Sequence, residues 1–296
     1  HDAVLHHFLL GHLEQARYVE EFAYNYGEWT RDLGQTLWRD RARSAVDPRY
    51  FEYPMLRRAA ERAQAVVVHN PAAAAIAARH APLVRIVEIP HLFTPPKPPE
   101  QAAVARLRRQ MNLGHGAFLF AAFGHLRESK RIESVLAAFH RVHREHPQAA
   151  LLIAGDFVST DLARVLEEPL KGPGIHRVGF TPESDFWRYA AAADACVNLR
   201  YPAAGETSGI STRLMGIGKT VLVTHSEETA RIPEGACLRV DAGAAEVEML
   251  ARYMCWLVQA PGAAAEIGAR AAAHIAAYHS LDRVAQSYWR VLEDSR

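Results

Sequence analysis

A doubly wound α/β architecture, with parallel strands alternating with helices, is what this sequence predicts. Three observations carry the prediction. From Phe118 onward, short apolar runs recur, each bounded by Gly, Asp or Pro. Between them lie amphipathic segments; in one, Ile132, Val135, Leu136 and Phe139 share a face at helical spacing. The chain has 296 residues, of which 49% are hydrophobic. At roughly 100–200 residues per domain, that suits two domains better than one.

The elements follow in order. "HHFLLGHLEQARYVEEFAYNYG" and "YPMLRRAAERA" read as helical. "AVVVH" and "VRIVEIP" read as strands, with "PAAAAIAARHAP" helical between them. This is βα material amounting to about half a doubly wound unit. "TPPKPPE", Thr94 to Glu100, reads as an extended and fairly stiff linker because of its prolines. "FLFAAFG", "ALLIAG", "IHRVGF", "ACVNLR", "TVLVTH" and "CLRVD" follow as strands. Alternating with them, "KRIESVLAAFHRVHREH", "TDLARVLEEPL", "ESDFWRYAAAA" and "GISTRLMGIGK" read as helices. Strand–helix alternation implies parallel pairing through crossover connections. Two helices close the chain, with Asp282 as a first-turn acid of the last.

Composition excludes several classes. With 34 basic and 33 acidic side chains, the net charge is +1, which argues against bulk nucleic-acid binding. Cys196, Cys237 and Cys255 are far apart with no metal-ligand spacing. An odd count suggests reduced thiols and a cytoplasmic setting. No zinc motif appears, and neither G-x-x-x-x-G-K-[ST] nor a strand-following G-x-G-x-x-G is present. No metal and no cofactor are therefore expected. The start, "HDAVLHHFLLG", does not read as a secretory signal.

In open α/β sheets ligands gather beyond the carboxyl ends of the strands, and three loops there stand out. "FGHLRESKR" places Gly124 and His125 at a turn and Lys130 and Arg131 at a helix start, a setting that attracts phosphate. Alone, a solvated basic turn would look the same. In "NLRYPAAGETSGIST", Gly205, Thr207, Ser208 and Gly209 lead into a helix continuing through Ile210 and Arg213. Glu206, which phosphate would repel, suits the hydroxyl-rich part of a ligand. The plainer alternative has Thr207 or Ser208 capping the helix and Glu206 as a surface acid. In "RVGFTPESDFW", Gly179 and Phe180 end a strand and Thr181 would cap the helix opened by Pro182. A nucleobase would fit there, or the loop is a simple capped turn.

Taken together and in this order, these segments resemble glycosyltransferase family four, retaining enzymes of GT-B fold. "FGHLRESKRIESVLAAF" is similar to the family's G-R-L-x-x-x-K segment, and "NLRYPAAGETSGISTRLMGIGKTVLVT" to its E-x-F-G-x-x-x-x-E loop, helix and strand. The resemblance implies two Rossmann-like doubly wound domains. Residues 1–97 would form a partial N-terminal acceptor-side domain, 98–280 a nucleotide-sugar-binding domain, and 281–296 a helix returning to the first. It further implies that Lys130 binds the donor pyrophosphate, Glu206 contacts the transferred sugar and His1 lies near that sugar, these three being the catalytic candidates. Gly124, His125, Gly179, Phe180, Thr181, Gly205, Thr207, Ser208, Gly209, Ile210 and Arg213 would line the donor. A donor phosphate oxygen would take the acceptor's proton.

This sequence departs from the family pattern at His125, where the family has an arginine, and at Leu214, where it has a second glutamate. Arg213 is the candidate replacement for the lost phosphate contact. The early βα units of the family are missing, so a fragment or a shortened chain is expected. The implied activity is hexosyl transfer from a nucleotide-sugar to a glycan, lipid or small-molecule acceptor, with anomeric configuration kept. No nucleic-acid partner is implied, and peripheral membrane contact through the N-terminal domain is compatible with it. A non-catalytic nucleotide-sugar-binding fragment and a sugar-nucleotide epimerase of the same fold share these motifs.

Overall fold

The computed structural model describes residues 2–294. Two parallel sheets organise it. The smaller pairs β1 (Ala65–Val68) with β2 (Arg85–Glu88), joined by helix Pro71–His80. Asn70 begins that helix: its Oδ1 accepts Ala73 N at 2.8 Å, and Pro71 occupies the first turn, where no amide partner is needed. Ahead of β1, helices His6–His12, Gln15–Tyr26 and Arg31–Asp40 enclose an aromatic core of Tyr18, Phe22, Leu37, Tyr50 and Met55.

The larger sheet holds β3 (Phe118–Phe123), β4 (Ala149–Ala154), β5 (Ile175–Val178), β6 (Ala195–Asn198), β7 (Thr220–Thr224) and β8 (Leu238–Val240). Its spatial order is β5-β4-β3-β6-β7-β8, with every pair parallel. The chain grows outward from β3 in one direction, then returns and grows outward from β6 in the other. That reversal opens a crevice at the carboxyl ends of β3 and β6.

β3 shows why the apolar runs are continuous. Phe118 and Phe120 pack on one face against Val135, Leu136 and Phe139 of helix Ile132–Glu145 and against Leu250 and Met254. Leu119, Ala121 and Phe123 pack on the other against Phe186, Leu214, Met215 and Ile275. A strand covered on both faces cannot alternate apolar with polar. Each buried Leu or Phe contributes about 1.5–3 kcal/mol of transfer free energy.

Residues 94–100 carry no regular secondary structure. Just before them Phe93 is buried against Gly216, and its amide donates to His279 O at 2.8 Å. Helix Leu281–Asp294 crosses to the small sheet, where Val284 and Val291 pack with Ile89, and Arg85 pairs with Asp294 at 2.7 Å. No helix among the described residues is long and apolar enough to cross a membrane.

Candidate functional site: a partitioned crevice at the strand-order reversal

Three hollows meet at the crevice. The first, of about 580 Å³, is lined by Gly124, His125, Asp156, Phe180, Thr181, Glu183, Ile210 and Arg213. The Phe180 ring is 71% exposed, and its amide donates to Asp156 Oδ1 at 3.0 Å. Gly179, beside it, also faces Asp156. Thr181 does not cap the next helix as expected. Its hydroxyl donates back to Gly179 O at 3.1 Å, and helix Glu183–Ala192 starts after Pro182 with no side-chain cap. Arg213 lines this hollow but is already engaged: it pairs with Glu183 and lies over the Phe186 and Trp187 rings at 4.2 and 4.4 Å. It is therefore not a free replacement for the family's arginine. Leu214 is fully buried against the sheet.

Lys130 lies behind this hollow. It ends a single 3-10 turn, Glu128–Lys130, and helix Ile132–Glu145 begins only after Arg131, whose φ of 56° is left-handed. Lys130 is 7% exposed, and its ammonium donates to Phe123 O, beneath Gly124. Gly124 has φ +92°, and a Cβ there would lie 2.6 Å from Ile210 Cδ1 and 3.0 Å from Lys130 Nζ. Only glycine closes this turn over the lysine. Burial lowers the Lys130 pKa to about 7, helped by the Arg200 and Arg127 charges. Lys130 is thus not a solvated side chain.

The second hollow, of about 1240 Å³, includes Asp2, Arg127, Glu128, Ser129, Arg200 and Glu206 in its wall. The third, of about 830 Å³, lies between the two sheets and includes Asn70, Asn198, Arg200, Glu206, Thr207 and Ser208. Arg200 and Glu206 belong to both walls and form an ion pair. That pair is the partition between the second and third hollows. Burial lowers the Arg200 pKa, and Arg127 lowers it further while Asp2 opposes.

The loop carrying Glu206 is pinned at both ends. Asn70 Nδ2 donates to Gly205 O and to Thr207 Oγ1, each at 2.9 Å. Ala3 N and Val4 N both donate to Ala204 O, at 3.1 and 3.2 Å. Gly205 has φ +71°, and a Cβ there would fall 2.9 Å from Ala3 Cβ. Thr207 thus serves the contact with Asn70, at the start of the helix between β1 and β2. Ser208 caps helix Gly209–Gly216, accepting Ser211 N at 3.3 Å and Asn198 Nδ2 at 2.6 Å. Gly209 opens the helix onto free space. His1 lies outside the described residues.

The structure therefore brings Gly124, His125, Phe180, Thr181, Ile210 and Arg213 to one hollow, and Glu206, Thr207 and Ser208 to its neighbour. Sequence reasoning missed Arg127, Arg200, Asn70 and Asn198. Arg127 and Arg200 stand in the strand-end loops already singled out, so their position was the available signal. At the amino ends of the strands, where helix Ile132–Glu145 ends before β4, Glu145, His146 and Cys255 bring their donor atoms within 4.8 Å of one another.

No family model and no curated sequence matches this chain. Solved structures do. HepE from Anabaena, crystallised with UDP-glucose, superposes over 95% of this chain and 82% of its own, with TM-score 0.71 and 17% identity. Sucrose-phosphate synthase from Thermosynechococcus elongatus covers 97% of this chain and 78% of its own, with TM-score 0.68 and 19% identity. WaaG, a glycosyltransferase of lipopolysaccharide biosynthesis, covers 88% and 71%, with TM-score 0.66 and 14% identity. On the strand order and these likenesses, the chain has the Rossmann-like GT-B fold.

Proposed function

We propose that this chain is a retaining glycosyltransferase of the family-four type. It moves a hexosyl group from a nucleotide-sugar to an acceptor hydroxyl, without a required metal, as a cytoplasmic step of glycan biosynthesis. One observation carries the reading: the β3 and β6 loops converge at the strand-order reversal, bringing Lys130, Arg127 and Arg200 into mutual electrostatic range beside Glu206. The exposed Phe180 ring in the adjoining hollow offers a face for a base. HepE holds UDP-glucose in its crystal structure, which supports a nucleotide-sugar donor here.

In this reading the cations stabilise charge building on the leaving diphosphate, the electrostatic effect that usually dominates such catalysis. The Glu206 carboxylate, acceptor-only, orients sugar hydroxyls. A donor phosphate oxygen takes the acceptor's proton, so no paired acid and base is needed. The test incubates UDP-glucose, and separately other nucleotide-sugars, with mixed acceptors, with and without a chelator. Acceptor-dependent release of nucleoside diphosphate, unaffected by chelation, with the donor's anomeric configuration in the product, is expected. A donor that binds without product over long incubation would identify a binding module instead. An epimer formed from donor alone would identify an epimerase.

A further inference from the structure

The Arg200–Glu206 pair is an odd component for a preformed donor site. A carboxylate expected to hold sugar instead holds a guanidinium in the wall of the crevice. Arg200 is three-quarters enclosed, with a side-chain exposure of 24%, and its Nε is buried without a hydrogen-bond partner. The Arg127 charge repels it, and Arg200 and Arg127 together repel the Lys130 ammonium. Around the second hollow the charged groups are Asp2, Arg127, Glu128, Arg200 and Glu206, with the Lys130 ammonium behind. A guanidinium with a donor left open, beside a second guanidinium and an ammonium, can give a diphosphate more hydrogen bonds than one carboxylate accepts here. His125 and Arg213, the two residues that the family pattern would offer, do not fill that role: one is not an arginine, and the other is bound to Glu183.

We propose that Arg200 is the main diphosphate-binding cation of this site, that the Glu206 carboxylate stands in for a phosphate oxygen in the free protein, and that donor binding exchanges the two. The inference rests on the nucleotide-sugar reading above. Diphosphate takes Arg200, and Glu206 is released to the sugar. Because this pair also divides the second hollow from the third, the exchange joins them into one cleft around the transferred sugar. It resolves why a carboxylate sits in a phosphate loop: it keeps a buried guanidinium paired until the ligand arrives.

The test is calorimetry of UDP, and of GDP, ADP and dTDP in parallel, on the native chain and on Arg200→Ala, Arg200→Lys and Glu206→Gln. Arg200→Ala is expected to bind the preferred diphosphate about tenfold to a hundredfold more weakly. Arg200→Lys should recover part of that loss, since a lysine keeps charge but not the forked donors. Glu206→Gln should bind the bare diphosphate as tightly as native or more tightly, while binding the corresponding nucleotide-sugar more weakly. Diphosphate affinity kept or raised while sugar-nucleotide affinity falls cannot come from misfolding, so the inference stays testable if Arg200→Ala is unstable. Native-like diphosphate affinity in Arg200→Ala, or equal losses in Glu206→Gln and Arg200→Ala, would overturn the exchange while leaving the transferase reading in place. A native chain that binds none of the four diphosphates would overturn both.

Discussion

Lys130 places a buried cation in the fold at a cost in stability. Its ammonium sits almost wholly out of water, held by a backbone carbonyl rather than a counter-ion. The folded pKa, about 7, lies below the ordinary lysine value of 10.5. Between those two pH values the unfolded chain holds a proton that the folded chain lacks. Lys130 therefore adds stability as pH rises through that window, and its desolvation cost is fully present below pH 7. A phosphate would reverse the preference by favouring the charged form. Lys130→Met, similar in length and apolar, should keep or raise Tm at pH 7 while losing nucleotide binding. In the native chain, nucleotide affinity should fall as pH rises from 7 to 9, because binding must then recharge the lysine; in Lys130→Met that slope should vanish. Calorimetry across pH reads both effects. A Tm loss of more than ~5 °C in the variant, a difference of about 2–3 kcal/mol for a chain of this size, would instead make the ammonium a structural strut.

Among elements, the Glu206 loop is positioned by a residue from the other half of the molecule. Asn70 uses both sides of its amide: Oδ1 caps helix Pro71–His80, and Nδ2 reaches across to Gly205 O and Thr207 Oγ1. Removing the cap alone costs about 1 kcal/mol, and stranding a buried carbonyl costs about 1–3 kcal/mol more. Asn70→Ala should thus lower stability by the sum, while Asn70→Asp keeps the cap and breaks only the latch. Faster hydrogen exchange at residues 203–208 in Asn70→Asp, with helix Pro71–His80 still protected, is the expected signature. Unchanged exchange there would mean that the Ala3 and Val4 amides suffice to hold the loop. This element also marks the limit of what the sequence discloses. The eight strands among the described residues are legible for two reasons: central runs such as "FLFAAF" are covered on both faces and leave no room for a polar position, while outer runs such as "IHRV" and "LRV" are read from the Gly or Asp that bounds them. Helices Arg31–Asp40, Gln101–Gln110 and Glu246–Gln259 belong to stretches that the motif argument had no use for. The Asn70 latch joins residues 135 and 137 positions apart, and no local pattern encodes such a pairing. The engagement of Arg213 by Glu183, 30 positions away, is hidden for the same reason.

Across the whole molecule, the two sheets meet along a seam that combines an ion pair with a histidine cluster. Arg231 holds Glu88 through two bonds of 2.9 Å each. Beside it the His69 and His91 rings lie 4.2 Å apart, and His274 and His279 lie 5.6 Å apart. His279 Nδ1 donates to His91 O at 2.6 Å, tying the end of helix Pro261–Tyr278 to the segment after β2. His69, His274 and His279 face the third hollow, together with Glu88, Glu228 and Arg231. Burial, reinforced by the His69 and His279 rings, lowers the His91 pKa to about 4. Burial also lowers His274 and His279, the latter against the opposing pull of the His91 carbonyl. Histidines kept neutral in the fold take up protons on unfolding at pH below their ordinary value of 6.5. Stability is therefore full above about pH 6.5 and declines as pH falls toward 4, with the same cause and sign as the Lys130 window but at lower pH. Tm should drop steadily between pH 7 and pH 5, before most carboxylates titrate. His91→Phe should flatten that decline, because it keeps an apolar ring beside His69 and removes the most strongly shifted group at the seam. An acid decline that persists unchanged in His91→Phe would move its origin to His6, buried in the aromatic core of the first unit with its pKa also lowered to about 4. In the proposed transferase reading the donor lies along this same seam, so loosening it with acid should weaken nucleotide-sugar binding over the same pH range in which Tm falls.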